Sequence, residues 1–329
     1  MGHRHHHTTA LRGVLACAVL AFQVQVAAAQ GSLDPSIAPR AVNLERQGDR
    51  GIATELLGRY LATAPDDGVA WFHLGRFYLA DSRDWHLRGH TGDPSGDLYL
   101  DFAATAFDQA IRLVVDSAVV YRLMVEMDRA RLYVEGFGWR AASERPREPA
   151  PTMPDYILEL GTNLLNSCPA NGILLTGTSL ETVSVWYASL EAGRRLDVLP
   201  LEPRLYTTDS LYRSRIAEVL GVDAKLPVRQ ALAAVAGRRS ICLTPMADIA
   251  AAPFNQFTAV RLVRVSSGVA TPTPDVISVT SLLEMERLGG TAWTVELRRI
   301  YAAAASHNSL LCSGVLQRLG DRPLGACGH

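Results

Sequence analysis

A chain of 329 residues, of which 48% are hydrophobic and 20% charged, has enough apolar side chains for two compact domains. This composition excludes an intrinsically disordered chain. The formal net charge of -1 at pH 7 also excludes the concentrated basic surface on which phosphate-driven nucleic-acid binding depends. Nucleic acid is therefore not an expected partner.

The first 29 residues predict a signal peptide. A polar start that contains Arg4 and Arg12 precedes the apolar run GVLACAVLAFQVQVAAA. Ala27–Ala29 supply the small residues that signal peptidase requires, so we expect cleavage near Gln30 and a periplasmic or secreted protein.

Two other fates of this segment compete with cleavage. Gln23 and Gln25 disfavour an uncleaved anchor, because a spanning helix needs about 20 mostly apolar residues. Lipidation at Cys17 is disfavoured because the residues before it match a lipidation sequence only loosely. Peripheral association of the mature protein with a membrane is left open.

Two stretches of the N-terminal half repeat one pattern of small and bulky residues. The later stretch has the spacing of two crossing helices, with Trp71, Leu74, Gly75 and Tyr78 on the first and Ala103, Phe107 and Ala110 on the second. An offset of about 34 residues gives the earlier stretch, with Ala41, Leu44, Ala53, Leu57, Tyr60 and Pro65 at matching positions and Gly48–Asp49 as the turn.

Over residues 36–140 this double register resembles the tetratricopeptide repeat family. The resemblance implies helical hairpins over residues 30–143 that hold a peptide or a protein surface in a groove. The match requires an insertion at 82–97, whose many turn-forming residues predict an exposed loop. Residues 117–140 predict one more helix, either a degenerate third unit or a cap.

Residues 144–154 are rich in proline and predict a linker to an α/β domain over residues 155–329. Three apolar stretches separated by helix-length segments predict buried strands at 172–178, 196–201 and 240–244. Such strands pair in parallel, so we expect a small three-layer α/β domain with a mainly parallel sheet. The predicted fold class is α plus α/β.

Capping residues mark the helices of this domain. Thr178 and Glu181 predict a capping box, and Asp209 and Pro227 begin the next two helices. Later residues predict two β-rich stretches, 258–266 and 275–280, and a long helix from about Thr291 to Leu319. The apolar stripe expected to pack that helix on the sheet comprises Trp293, Leu297, Ile300, Tyr301, Ala304 and Leu311.

Residues 169–220 resemble a soluble segment of multi-pass bacterial membrane proteins that are protein O-mannosyltransferase-like. The matching positions are Thr182, Trp186, Tyr187, Glu191, Arg195, Asp197 and Val198. The family's acidic first turn is replaced here by Gly177, Thr178 and Ser179, and its membrane-embedded part, where transferase chemistry takes place, has no counterpart. The resemblance therefore implies a fold rather than an activity.

The turn TGTSLET, at the end of the first predicted strand, is the candidate ligand site. Thr176, Thr178 and Ser179 offer hydroxyls, and Glu181 a carboxylate, at a helix N-terminus that favours anions or a sugar. The turn lacks the glycines of a dinucleotide loop and the lysine of a P-loop. A plain helix cap is therefore the favoured interpretation.

Histidine spacing offers little support for chemistry. His86 and His90, near Asp84 and Asp93, would face one metal on a regular helix, but intervening glycines favour an exposed loop, and no metal is predicted. His307 is interpreted as a hydrogen-bonded structural residue, because no nucleophile or carboxylate pair accompanies it.

The mature segment contains Cys168, Cys242, Cys312 and Cys327, without a zinc-binding spacing. An oxidising compartment permits disulfides, and the flexible tail favours a bridge from Cys312 to Cys327. Pairing of Cys168 with Cys242 is an alternative that the sequence constrains less, and buried thiols are another.

Together these patterns predict an exported, non-catalytic binding or scaffolding protein of the bacterial cell envelope. Its helical repeats would hold a protein partner, and no cofactor or catalytic residue is expected. The alternative is a carbohydrate- or anion-binding domain, or an enzyme related to envelope glycosyl transfer, that acts at the first βα turn. The sequence does not identify the partner or a small-molecule ligand.

Overall fold

A computed structural model describes residues 34–87, 94–144, 154–266, 277–287, 290, 293–308 and 310–311. The predicted signal peptide, most of the linker, His90, Asp93 and the predicted bridge between Cys312 and Cys327 lie outside these residues. The described chain is mostly helical, with a small mixed sheet.

The first group of helices precedes the predicted linker: α1 (Ile37–Arg46), α2 (Arg50–Leu61), α3 (Gly68–Leu87), α4 (Pro94–Arg112), α5 (Asp116–Phe137) and α6 (Trp139–Glu144). The second group comprises α7 (Asp155–Ser167), α8 (Ser179–Trp186), α9 (Pro203–Thr208), α10 (Ser210–Leu220), α11 (Val228–Val235), α12 (Thr280–Arg287) and α13 (Thr294–His307). The strands are β1 (Ile173–Leu175), β2 (Leu199–Leu201), β3 (Ile241–Leu243), β4 (Phe257–Val260) and β5 (Val263–Ser266). A π-helical turn, Tyr187–Glu191, continues α8.

Helices α1 to α5 pack successively, each against the next. Gly48 turns the chain between α1 and α2 with φ +95°, a conformation that glycine adopts without strain. Gly75 of α3 lies so close to the ring of Phe107 in α4 that a Cβ atom there would collide with it. Small residues thus permit the close crossing of α3 and α4.

The exposed loop predicted at 82–97 is wrong over its described residues. Helix α3 continues to Leu87, and α4 begins at Pro94. The Ser82 hydroxyl donates to the Gly96 carbonyl at 3.1 Å, and the His86 ring packs where Gly96 has no side chain. Gly96 therefore lets two helices approach closely here and does not form a loop.

The five strands lie in the order β2-β1-β3-β5-β4. β1 pairs in parallel with β2 and β3, as expected, but β5 is antiparallel to both β3 and β4. The stretch 258–266 forms a two-strand hairpin because Arg261, at φ +51°, reverses the chain. The sheet is therefore mixed, and only its β2-β1-β3 part is parallel.

The second predicted β-rich stretch, 275–280, is not a strand over its described residues. Residues 277–279 lack strand structure, and α12 begins at Thr280. The Ser278 carbonyl accepts from Asn163 Nδ2 at 2.6 Å, and the Ser278 hydroxyl donates to Glu159 Oε2 at 2.8 Å. Side chains of α7 thus replace a neighbouring strand as partners of this segment.

Within the long C-terminal helix predicted from about Thr291 to Leu319, the structure describes α13 and the helical residues 310–311, with a break at Asn308; residues 312–319 lie outside the described residues. α13 ends at His307, because Asn308 is extended, donates from Nδ2 to the Arg261 carbonyl at 3.0 Å and accepts from the Leu310 N–H at 3.3 Å. The middle of the predicted stripe is confirmed as buried: Leu297, Ile300, Tyr301 and Ala304.

Alternate strand residues belong to two hydrophobic clusters. Leu174 and Cys242 share one cluster with residues of α4, α5, α7 and α13, whereas Ile173 and Leu175 share the other with α10 and α11. Helix α5 contributes to both clusters. A disulfide between Cys168 and Cys242 joins the end of α7 to β3.

Within the described part of the chain, no helix has the length and apolarity needed to cross a membrane.

Candidate functional site

The carboxyl ends of β1 and β2 bring the first βα turn beside a second polar segment. The two strands are parallel neighbours, so Thr176–Ser179, which follow β1, and Glu202, which follows β2, lie at the same edge of the sheet. This edge is where open α/β sheets usually bind ligands. It is called the carboxyl edge below.

The predicted capping box is confirmed. The Thr178 side chain accepts from the Glu181 N–H at 3.3 Å, and Glu181 Oε2 accepts from the Thr178 N–H at 2.9 Å. Glu181 is fully buried and also accepts from the N–H groups of Gly177 and Met246, both at 3.0 Å. Burial raises the pKa of Glu181. Its oxygens hold the turn to the loop after β3.

Only part of the predicted ligand set faces open space. Thr176 is buried, and its hydroxyl accepts from the Thr182 hydroxyl at 2.8 Å. Ser179 is exposed and, with Thr182, lines a cavity of about 260 Å³ at the carboxyl edge. Thr176, Thr178 and Glu181 thus shape the turn, while Ser179 borders this cavity and, together with Thr178, lines a second one beside Glu296.

The cavity has walls from both halves of the chain. Its lining comprises Arg83 of α3, Met124, Met127, Asp128 and Arg131 of α5, Ser179, Thr182 and Trp186 of α8, and Glu202, Arg204, Leu205 and Thr208 at and after the end of β2. Helix α5 packs against α8 and α10, so its polar face meets the carboxyl edge. The cavity therefore depends on contact between the helical segment and the sheet.

Charged residues of α5 form a cluster against this cavity. Asp128, Arg131 and Glu135 are spaced so that they share one helix face, and all three are buried. Arg83 Nε donates to Asp128 Oδ2 at 2.7 Å. Arg131 Nη1 donates to Asp209 Oδ2 at 3.3 Å and lies 3.6 Å from Glu135 Oε1. These contacts leave the Arg131 guanidinium incompletely bonded.

Three buried donor atoms on two side chains that line the cavity lack an acceptor among the described residues. Among the described residues, nothing accepts a hydrogen bond from Nε or Nη2 of Arg131, or from Nε1 of Trp186. The closest carboxylate to Arg131 Nε is Asp128 Oδ1, at an ion-pair distance of 3.7 Å. Buried donors are costly to leave unpaired, and these three atoms lie within the packed wall, with almost no surface open to the cavity.

Burial sets the protonation of the carboxyl groups near Arg131. It raises the pKa of Glu135 to about 8, an effect that the Arg131 charge opposes and the carboxylate of Asp209 reinforces. Burial, reinforced by Asp128, also raises the pKa of Glu202. Glu135 is therefore mostly protonated at neutral pH, while Arg131 remains a cation.

The residues carried over from the mannosyltransferase-like segment lie at two separate places. Trp186 lines the cavity. Arg195 and Asp197 lie instead before β2, where Arg195 donates to both oxygens of Asp197 at 2.9 and 3.0 Å and to the carbonyls of Leu165 and Cys168 at 3.2 and 3.1 Å. The Arg-x-Asp pair thus supplies donors to backbone carbonyl groups at the C-terminal end of α7.

The histidines singled out from the sequence do not contribute to the cavity. His86 is buried rather than exposed, with Nδ1 at 2.7 Å from the Ser82 carbonyl oxygen. His307 is exposed, and partial desolvation, together with the charge of Arg264, lowers its pKa. Among the described residues, no three His, Cys, Asp or Glu side chains are arranged to hold a metal ion.

The cavity residues contributed by α5 were not predicted from the sequence. Their pattern was nevertheless informative, because Asp128, Arg131 and Glu135 share a face with Met124 in a helix predicted from its apolar stripe. Charged residues that recur on an apolar helix face indicate a buried ion cluster or a polar site.

No protein-family model matches the chain, and no curated protein or solved structure matches it significantly.

Proposed function

We propose that this chain is a non-catalytic binding protein that holds a small ligand with an oxyanion in the cavity at the carboxyl edge. The observation that carries the proposal is that three arginines from separate segments of the chain, Arg83, Arg131 and Arg204, line that cavity. Arginine side chains favour the oxygens of an anionic group, to which they donate charge-assisted hydrogen bonds. The location also agrees with where α/β sheets bind ligands.

The engagement of the nearby carboxylates supports binding rather than catalysis. Asp128 pairs with Arg83, and Asp209 caps α10 by accepting from the N–H groups of Leu211 and Tyr212, both at 2.9 Å. Glu181 is saturated by backbone donors. Acidic groups fixed in this way support the fold and position Arg131.

A thermal-shift screen of sugars, phosphates, carboxylates and amines tests the proposal on the purified chain. A ligand specific for the folded state raises the melting temperature, and the stabilisation grows with the logarithm of its concentration over its Kd. We expect Arg131→Lys to abolish the shift and Arg229→Met, an exposed arginine on α11, to preserve it. The absence of any stabilising compound, or shifts insensitive to Arg131→Lys, would contradict the proposal.

We propose, as a second function, that α1 to α4 are tetratricopeptide-like hairpins that hold a protein partner. The packing of the two linked registers favours this: Ala41 and Leu57 are fully buried, and Gly75 contacts Phe107 at the corresponding crossing. Exposed apolar side chains on α2 and α4, including Ile52 and Phe102, would contact the partner. Affinity capture from envelope extract should lose its partner on Ile52→Asp and Phe102→Asp substitution.

Export to the periplasm or the exterior is part of the proposal. The bridge between Cys168 and Cys242 supports it, because stable disulfides form mainly in oxidising compartments. Mass spectrometry of the envelope-localised protein should find an N-terminus near Gln30. An intact Met1 on a cytoplasmic protein would contradict this part of the proposal.

A further inference from the structure

We infer that the ligand is an apolar α-amino acid, whose carboxylate binds Arg204 and whose ammonium group binds Glu202. Its side chain lies against Met124, Met127 and Leu205. The inference rests on the proposed function and names the class of ligand for the same cavity. Three properties of the cavity lead to it: opposite charges that face it without contacting each other, its size and its apolar wall.

Glu202 is an acidic group that the described protein leaves without a donor. Asp128, the other carboxylate in the cavity lining, accepts from Arg83 Nε at 2.7 Å. Among the described residues, no group donates a hydrogen bond to the carboxyl oxygens of Glu202, and no cation lies within ion-pair distance of them. These oxygens also keep accessible surface, unlike the unpaired nitrogens of Arg131. Glu202 therefore presents open acceptors to the cavity.

Two arginines present donors to the same space. Arg204 is exposed, and within the described part of the chain its guanidinium group has no acceptor. Arg83 bonds Asp128 through Nε only, and 40% of its side chain is accessible, so its outer nitrogens are open as well. Guanidinium groups donate charge-assisted hydrogen bonds that suit a carboxylate. The carboxylate of the ligand therefore binds on the side of Arg204, with Arg83 as a second cation.

The opposite charges act on each other across the cavity. Burial and the charge of Asp128 raise the pKa of Glu202, while the charges of Arg83, Arg131 and Arg204 oppose that rise from beyond ion-pair distance. In either protonation state, a carboxyl group keeps an oxygen that accepts from an ammonium ion. A simple anion would leave Glu202 without a donor, and a simple cation would leave Arg204 without an acceptor. A zwitterion satisfies both and brings no net charge into the cavity.

The size and the remaining wall of the cavity restrict this zwitterion to a compact one with an apolar body. The volume of about 260 Å³ lies just below the range of roughly 300–1,000 Å³ that is usual for drug-sized ligands. An α-amino acid has both charged groups on one carbon, so it suits a small space. Met124, Met127 and Leu205 also line the cavity, and methionine adapts to irregular ligand shapes. These side chains suit an aliphatic or aromatic amino acid rather than a polar one.

Calorimetric titration of the full chain, with its Cys168–Cys242 bridge intact, tests the inference at pH 7. The probes are leucine and phenylalanine, each with two analogues that lack one charged group. The analogues without the ammonium group are 4-methylpentanoate and 3-phenylpropanoate, and those without the carboxylate are 3-methylbutylamine and 2-phenylethylamine. We expect leucine or phenylalanine to bind at least tenfold more tightly than both of its analogues. Phosphoethanolamine, a zwitterion without an apolar body, and glucose, a neutral sugar, should bind at least tenfold more weakly than that amino acid.

Two substitutions that each replace one charged group by a neutral amide test the assignment of the two ends. Glu202→Gln should weaken binding of the amino acid at least tenfold without weakening binding of its carboxylate analogue. Arg204→Gln should weaken the amino acid and the carboxylate analogue at least tenfold without weakening the amine. Arg229→Met, which removes an exposed arginine on α11, should change none of these affinities. Equal losses for all probes in a folded variant would overturn the assignment of that end.

The outcomes separate the inference from the proposed function. A carboxylate analogue that binds as tightly as its amino acid would overturn the zwitterion and leave the cavity as an anion site. Phosphoethanolamine or glucose that binds as tightly as the amino acids would overturn the ligand class. Failure of both amino acids to bind overturns the inference whatever else binds, and these comparisons on the parent chain decide it even if a variant does not fold. The proposed function itself fails only if the broader thermal-shift screen also finds no ligand that depends on Arg131.

Discussion

Arginine side chains at the two edges of the parallel strands differ in how many of their nitrogens donate hydrogen bonds. At the edge where the strands begin, Arg195 donates from all three guanidinium nitrogens, to Asp197 and to carbonyls at the end of α7. Arg239 there donates to the carbonyl of Asn171 at 2.8 Å. At the carboxyl edge, Arg131 donates from one nitrogen only, although it is far more deeply buried.

The difference shows which arginine has its hydrogen-bond donors satisfied by the folded chain. A saturated guanidinium at the edge where the strands begin closes a helix end and needs nothing further. Arg131 is held instead mainly by the charges of the buried carboxylates around it, Asp128 and Asp209. Substitutions at the two edges should therefore separate contributions to stability from contributions to ligand binding.

Arg131→Met should have the largest effect on stability. It removes the cation from Asp128 and Asp209 while both remain buried, and breaking a buried ion cluster in this way typically costs roughly 3–5 kcal/mol. Urea unfolding monitored by circular dichroism measures the free energy of unfolding. A loss under about 1 kcal/mol, a size typical of exposed pairs, would show that Arg131 is less buried than described.

Loss of the bridge between Cys168 and Cys242 should destabilise the edge where the strands begin. The bridge spans a sequence separation of 74, and a native disulfide typically contributes roughly 2–4 kcal/mol. Unfolding of a Cys168→Ser, Cys242→Ser double variant should show this loss, while titration with a cavity ligand should show unchanged affinity. A change of affinity without a change of stability would break the proposed separation of the two edges.

The stability of the folded chain should decrease as pH rises towards 8, because of Glu135. Its pKa is about 8 in the folded protein against an ordinary value of 4.5, so between these values the folded state binds a proton that the unfolded chain releases. Stability from this group should fall by up to about 1.4 kcal/mol per pH unit within that window.

Glu135→Gln provides the control for this pH dependence. The amide keeps the size of the protonated acid but does not titrate, so the decline between pH 6 and 8 should become about 2 kcal/mol shallower. Urea unfolding at several pH values measures both proteins. Parallel curves for the parent and the variant would show that another group causes the decline.

Arg195→Met should have the smallest effect. Arg195 and Asp197 are partly exposed, with 27% and 36% of their side chains accessible, so water can replace part of the lost hydrogen bonding. We expect a loss of about 1 kcal/mol in the free energy of unfolding and no change in cavity binding. A loss as large as that of Arg131→Met would remove the contrast between the edges.

The sequence predicted the local parts of the site well. Thr178 and Glu181 were identified as a capping box because that interaction depends on residues three positions apart. The three parallel strands followed from their length and apolar composition. These features depend on short-range patterns, which a single sequence contains.

The cavity itself could not be predicted, because it depends on how α5 packs on the sheet. Asp128 and Glu202 are far apart in sequence, and no local pattern indicates that they share a wall. The strand predicted at 275–280 was wrong, and the last helix breaks at Asn308, for a related reason. Asn163 and Asn308 make side-chain contacts with distant segments, and these contacts override local propensity.

The contribution of α5 to both hydrophobic clusters bears on how the molecule unfolds. Ala118 and Leu123 pack in one cluster and Ala130 and Val134 in the other, so melting this helix would open both cores together. The helical and α/β segments should then form one cooperative unit, with equal calorimetric and van't Hoff enthalpies. A cut in the proline-rich segment between them should leave two fragments that remain associated, rather than two domains that fold apart.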